Sequence, residues 1–131
     1  MQGRREARER ALELLYEAET KGTTCAAIVE ALPVPPDVYA TALATGVDAD
    51  LAHIDALLRD NAKGWTLERM PAVDRAVLRL ATYELLHESD VPVAVAISEA
   101  VELAQQFSTD DSGRFVNGVL SAVAKQTRRD D

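Results

Sequence analysis

Long hydrophobic runs, paired cysteines and aromatic side chains are all scarce in this 131-residue chain, and each scarcity excludes a class of protein. Uncharged apolar stretches such as Val91 to Ser98 fall far short of the roughly 20 residues that a membrane span needs. The N-terminus is arginine-rich with interleaved glutamates and has no apolar stretch leading into a cleavage site, so it does not read as a secretory signal. The lone Cys25 can form neither an internal disulfide nor a thiolate metal cluster, which fits a cytoplasmic protein with a structural thiol. Six glycines, five prolines, no Ser/Gln/Pro-rich tract and a mean hydropathy of -0.11 exclude collagen-like, low-complexity and disordered readings. What remains, 47% hydrophobic residues in a chain of this length, suits a single domain over residues 1–131 with one packed core.

Charge of one sign is also short. Fourteen Lys and Arg face 22 Asp and Glu, a net charge of -8, which taken alone argues against a nucleic-acid partner. The distribution argues otherwise. Residues 1–10 carry Arg4, Arg5, Arg8 and Arg10 against Glu6 and Glu9, so the opening is net positive and the rest of the chain carries all the excess acid. A local basic patch can hold a phosphate backbone while the acidic remainder repels nonspecific binding, the pattern of a selective or assisted binder. The plainer reading of the same residues is a solvated helix start.

Apolar residues recur at helical spacing almost throughout, and no run alternates with a period of two between hairpin turns, so the chain is expected to be all-α with six or seven helices. Ala7, Ala11, Leu14, Leu15 and Ala18 predict a first helix over about residues 4–20, ended by Gly22. A short helix capped by Thr23 or Thr24 follows, broken by Pro33, Pro35 and Pro36. Ala40, Leu43, Ala44, Val47, Leu51, Ile54 and Leu58 predict one long helix from Asp37 to about Asn61, with Gly46 tolerated inside it. Trp65 to Met70 reads as a short turn. Pro71 opens a helix running to Glu88, and Asp90 and Pro92 open another that Phe107 closes. Ser108 or Thr109 is expected to cap the last helix, with Asp110 and Asp111 over its positive end and fraying from Arg128. Gly118 suggests a close helix crossing and Asn117 a side-chain hydrogen bond. The Pro-rich break suggests two packed helical sub-bundles, the second holding residues 71–125.

Glu84 with His87 and Asp50 with His53 place a carboxylate and an imidazole three residues apart, the spacing used in di-iron bundles, but two further inward carboxylates are not evident and no metal is expected. No nucleophile elbow or phosphate-cradling glycine loop is present, so catalysis is not expected. The arginine forks of Arg4, Arg5 and Arg8 suit phosphates, Tyr16 suits a base or a protein contact, and Phe115, at a helix start beside Arg114 and Asp111, suits base stacking. Each also has an ordinary structural reading: solubility for the arginines, the rim of the core for Tyr16, the core for Phe115.

Three segments identify a likeness. Residues 71–86, opening Pro71-Ala72-Val73-Asp74-Arg75, residues 90–104, opening Asp90-Val91-Pro92, and the run Phe107 to Leu120 that ends Phe115-Val116-Asn117-Gly118-Val119-Leu120 closely resemble the NusB family of transcription antitermination factors. The arginine-rich opening and Ala11 to Tyr16 resemble the family's first helix, and the Gly64-Trp65 segment resembles its actinobacterial members. The resemblance implies an all-helical, non-catalytic RNA-binding protein without cofactors. It implies pairing with NusE, a small-subunit ribosomal protein, recognition of the boxA element of nascent ribosomal RNA leaders, and entry into a complex of RNA polymerase with other Nus factors. By position it implies RNA contacts at Arg4, Arg5, Arg8, Asp111 and Phe115, with Arg75 and Arg114 as basic neighbours, and NusE contacts at Tyr16 and Asp74. Some family members form homodimers, and a NusB-like domain also opens some ribosomal RNA methyltransferases, which continue into a much longer catalytic chain. Glu6 and Glu9 interrupt the basic opening here and lower the expected number of phosphate contacts, about one unit of salt slope for each. A protein-interaction module without RNA contact is the rival reading.

Overall fold

In the computed structural model, which describes residues 3–128, seven α-helices and one 3₁₀ turn account for most of the described residues. Helix α1 (Arg4–Lys21) buries Ala7, Ala11, Leu14, Leu15 and Ala18, the expected stripe. Gly22 ends it in the left-handed region at φ 66°, and its N–H bonds back to Ala18 and Glu19. Thr24 caps α2 (Cys25–Ala31) by accepting from the Ala27 N–H at 3.1 Å, and Asp37 caps α3 (Val38–Ala49) by accepting from Tyr39 and Ala40.

The single long helix expected from Asp37 to Asn61 is two helices, α3 and α4 (Leu51–Asn61), divided at Asp50. Unbroken, residues 38–61 would make a rod of about 36 Å, too long to wrap a small core. The bend lets α3 pack on α1 and α5 while α4 packs on α5 and α7. Apolar periodicity runs through the bend because both halves bury the same kind of face, so it gives no sign of the break. The Asp50 carboxylate accepts from His53 at 3.2 Å and His87 at 2.8 Å, tying the bend to the end of α5.

After the 3₁₀ turn Leu67–Arg69, α5 (Ala72–His87) runs through the centre of the molecule and touches α1, α3, α4, α6 and α7. Helices α6 (Val93–Phe107) and α7 (Ser112–Thr127) pack on each other and on α5. Two helical groups therefore meet, as expected, but they share α5, and the second also takes in α4. Leu14, Leu43, Ile54, Leu58, Leu78, Leu85 and Leu120 are fully buried around it, each contributing about 1.5–3 kcal/mol by leaving water.

Three local expectations are corrected. Ser108 terminates α6 and does not cap α7, whose N-cap is Asp111 without a side-chain cap bond. The hydroxyls are engaged elsewhere: Ser112 Oγ donates to Asp74 at 2.8 Å and lies 2.9 Å from Thr109 Oγ1. Gly118 is exposed with open space where a Cβ would stand, so no helix crosses there, although Asn117 does accept from the Ser121 hydroxyl. A close approach is found instead at Gly46, where an added Cβ would run into the Tyr83 ring. Arg128 is held rather than frayed, and the rest of the expected tail, residues 129–131, lies outside the described residues. The Arg128 guanidinium donates to the carbonyls of Glu84, Leu85, Glu88 and Val91 and so satisfies the open end of α5.

Helices α1 and α5 are joined by charge. Glu19 accepts from Arg75 and Arg79, Arg79 also reaches Asp55 with both nitrogens at 2.9 Å, and Arg75 Nη1 donates to the carbonyls of Leu67 and Met70. Hydrogen bonding from Arg75, aided by the charges of Arg75 and Arg79 and opposed by burial, holds the Glu19 carboxyl below the ordinary glutamate range. A depressed folded value contributes stability above the unfolded glutamate pKa, near 4.3, that is lost as pH falls through the folded value. Glu19→Gln is accordingly expected to lower stability at pH 7, with the gap to the parent closing below about pH 4. Urea unfolding of both proteins across pH measures this, and a gap that stays constant into acid would remove the ion pair as its cause.

Candidate nucleic-acid interface

The first two turns of α1 send their arginines toward α5 and α6, and depth separates them. Arg8 is buried, with 6% of its side chain exposed. Its Nε lies 3.0 Å from both carboxylate oxygens of the buried Glu84, and Nη1 lies 3.4 Å from Glu99. Tyr39 Oη donates to the same Glu84 at 2.5 Å. Burial pulls the Arg8 pKa down, but the hydrogen bond and charge of Glu84 outweigh it and leave the guanidinium firmly cationic. Arg8 does not stand where a phosphate would meet it directly: a buried charge needs a partner, and Glu84 is that partner.

Arg4 and Arg5 stay at the surface. Arg4 lies over the Tyr39 ring, 4.3 Å from its centroid, and pairs with Asp90 at 3.1 Å. Arg5 pairs with Glu99 at 2.7 Å and Glu102 at 3.0 Å, and its hydrogen bond holds the Glu99 carboxyl below the ordinary range despite partial burial. Each exposed fork is therefore already occupied by a carboxylate of α6 or of the turn before it. No local pattern signals this pairing, because Asp90, Glu99 and Glu102 lie more than 80 residues from their partners.

Eight residues along α6 from Glu99, about 12 Å of rise, stands Phe107, 45% exposed. Beyond it lie Asp111, exposed, and Phe115, half-buried at the start of α7. Trp65, 52% exposed in the turn after α4, packs on Phe115 with ring centroids 5.9 Å apart and planes tilted by 60°. Trp65, Phe115, Asp74 and Asp111 all line one open pocket of about 270 Å³. Arg114 is exposed and, like Lys63 and Arg69, has no carboxylate within ion-pair distance among the described residues. Nearly every other described cation is paired. Sequence reasoning passed over Phe107 as a helix end and Trp65 as part of a turn; a large aromatic in an otherwise polar turn was the available signal.

Two other expected residues serve the fold. Asp74 is 4% exposed and accepts from Ser112, fastening α7 to α5, and Arg75 is committed to Glu19 and to backbone carbonyls. Neither offers a free group to a ligand. Tyr16 is 45% exposed on α1, open to a contact from outside. The two carboxylate–imidazole spacings do not converge, since Glu84 points inward to Arg8 while His53 and His87 meet at Asp50. No described helix is long and apolar enough to cross a membrane.

The NusB family model matches residues 5–125. The structure of NusB from T. maritima superposes with a TM-score of 0.86 at 37% identity, covering 95% of this chain and 92% of that one. A structure of antitermination factors NusB and NusE in complex with double-stranded RNA matches at TM-score 0.80 and 26% identity, over 94% of this chain and 96% of that one. NusB from Aquifex aeolicus, solved in solution, matches at 0.78 and 28%, over 95% and 89%.

Proposed function

The chain belongs to the NusB family, and from that premise we propose that it is a transcription antitermination factor that binds single-stranded boxA-type RNA together with a NusE-type ribosomal protein. One observation carries the assignment: the exposed forks of Arg4 and Arg5 on α1, paired with carboxylates of α6 and the turn before it, and the aromatic faces of Phe107 at the end of α6 and Phe115 at the start of α7. Guanidinium groups hold phosphates, and aromatic faces take splayed bases. Asp111 and Arg114 edge the aromatic end, Arg8 and Arg75 act by holding α1 in position, and Asp74 sets the start of α7. Tyr16 meets the ribosomal protein. The net charge of -8 makes assistance by a basic partner part of the mechanism, because long-range repulsion opposes RNA on most of the surface. The protein then works in the cytoplasm within an RNA polymerase complex with other Nus factors, and no catalytic step is assigned to it. A homodimer covering the same face would compete with RNA.

Titrating labelled boxA-type RNA with the protein, alone and with its NusE partner, at two salt concentrations and beside a scrambled RNA, tests the assignment. Tight, sequence-dependent, salt-sensitive binding that needs the partner is the expected result. Partner binding with equal or no affinity for the two RNAs would instead identify a protein-interaction module.

A further inference from the structure

We infer that Trp65 and Phe115 together form a seat for one unpaired nucleobase, with Trp65 the residue that completes it. The inference rests on the RNA-binding reading and adds a residue from a separate part of the chain. Trp65 comes from the turn between α4 and the 3₁₀ segment, whereas Phe115 belongs to α7. Their rings meet at 60°, so they form a corner with two apolar planes rather than a parallel slot, and a base stacks on one ring while its edge meets the other. The adjoining pocket of about 270 Å³ has room for a flat heterocycle but not for a folded peptide element.

The polar groups around the corner suit a base. Asp74 lies in the pocket, yet its carboxylate is taken up by Ser112. The Asp111 carboxylate is exposed and makes no cap bond, so it is the open acceptor for the N–H donors of a base edge. Lys63, two residues before Trp65, Arg69, four after it, and Arg114, beside Phe115, lack carboxylate partners among the described residues. Unpaired cations close in sequence to Trp65 and Phe115 supply charge of the sign that a nucleotide's phosphates require. An apolar protein surface would leave these charges without use, and that favours RNA over a protein side chain as the occupant.

Trp65 is the chain's one tryptophan, so its own fluorescence reports the event. The complex of this protein with its NusE partner is titrated with a short boxA-type RNA, following tryptophan emission on this protein and the anisotropy of a label on the RNA. The expected result is quenching of Trp65 in step with binding. Trp65→Ala should weaken RNA binding by roughly five- to a hundredfold, the range for loss of one stacked base, and Trp65→Phe should restore most of it. An abasic nucleotide at one position of the RNA should cost the parent as much as Trp65→Ala does and cost that variant little more, a coupling that a merely structural role would not produce. RNA binding with unchanged emission and an unaffected Trp65→Ala variant would overturn the seat and leave the RNA reading intact. Loss of partner binding in Trp65→Ala would make the corner a protein contact. Absence of RNA binding by the parent complex would overturn both.

Discussion

Glu84→Ala is expected to destabilise the protein by about 3–5 kcal/mol, the range for removing one partner of a buried ion pair. Glu84 is 1% exposed and accepts from Arg8 and Tyr39. Its removal leaves the Arg8 guanidinium buried between α1 and α5 with only the longer contact to Glu99, and leaves the Tyr39 hydroxyl without its acceptor. The magnitude decides between two views of the pair. Were it solvent-screened, the loss would stay below about 1 kcal/mol. Were it desolvated, as its burial indicates, the loss would take about a fifth or more of the roughly 5–15 kcal/mol that a domain possesses. Urea denaturation midpoints distinguish them. A double replacement, Arg8→Met with Glu84→Leu, should recover much of the loss, since apolar groups of similar volume remove both desolvated charges together. A double variant no better than Glu84→Ala would mean that packing around the site, not the unpaired charge, sets the loss. The consequence reaches the surface through Tyr39, whose ring supports Arg4.

Such coupling shows what a sequence can and cannot reveal about this protein. The cap of the seven-residue helix α2 at Thr24, the stop at Gly22 and the faces of α1, α5, α6 and α7 were legible because each depends on residues near one another in the chain. The break at Asp50 was not, because it goes with the packing of α3 and α4 on different sets of helices, and the contact of Asp50 with His87 lies 37 positions away in the chain. The same division runs through the site. The arginine-rich opening and the start of the last helix stood out locally, as did the resemblance they carry. Burial of Arg8 depends on Glu84, and the pairing of Arg5 depends on Glu99 and Glu102. A run of four arginines in ten residues looked uniform in sequence and divides in space into a buried strut and exposed forks. Gly118 and Gly46 make the same point in reverse: the glycine in the recognisable motif faces open space, while the one inside an unremarkable helix admits a tyrosine ring.

The exposed forks lead to the largest expected effect on binding. Replacing Arg4 and Arg5 together with alanine should weaken RNA binding by tenfold or more at low salt and flatten the dependence of log K on log salt by about 1.4, since each phosphate contact on a single strand contributes roughly 0.7. Partner binding and thermal stability should change little, because Arg4 and Arg5 are about half exposed and their ion pairs are of the surface kind. In the free protein those forks rest on Asp90, Glu99 and Glu102, so a phosphate gains its contact only by displacing a carboxylate. The sign of a second substitution follows from that competition. Glu102 is 56% exposed, and Glu102→Gln should tighten RNA binding by roughly two- to fivefold, the scale of a surface ion pair no longer lost on binding. Lysines at positions 4 and 5 should keep the salt slope but not the full affinity, because the charge remains while the two-pronged geometry is lost. Anisotropy titrations across salt read all three. An unchanged slope in the double alanine variant would place the phosphates elsewhere, and a weakened Glu102→Gln variant would mean that the carboxylate holds Arg5 in its binding pose instead of competing for it.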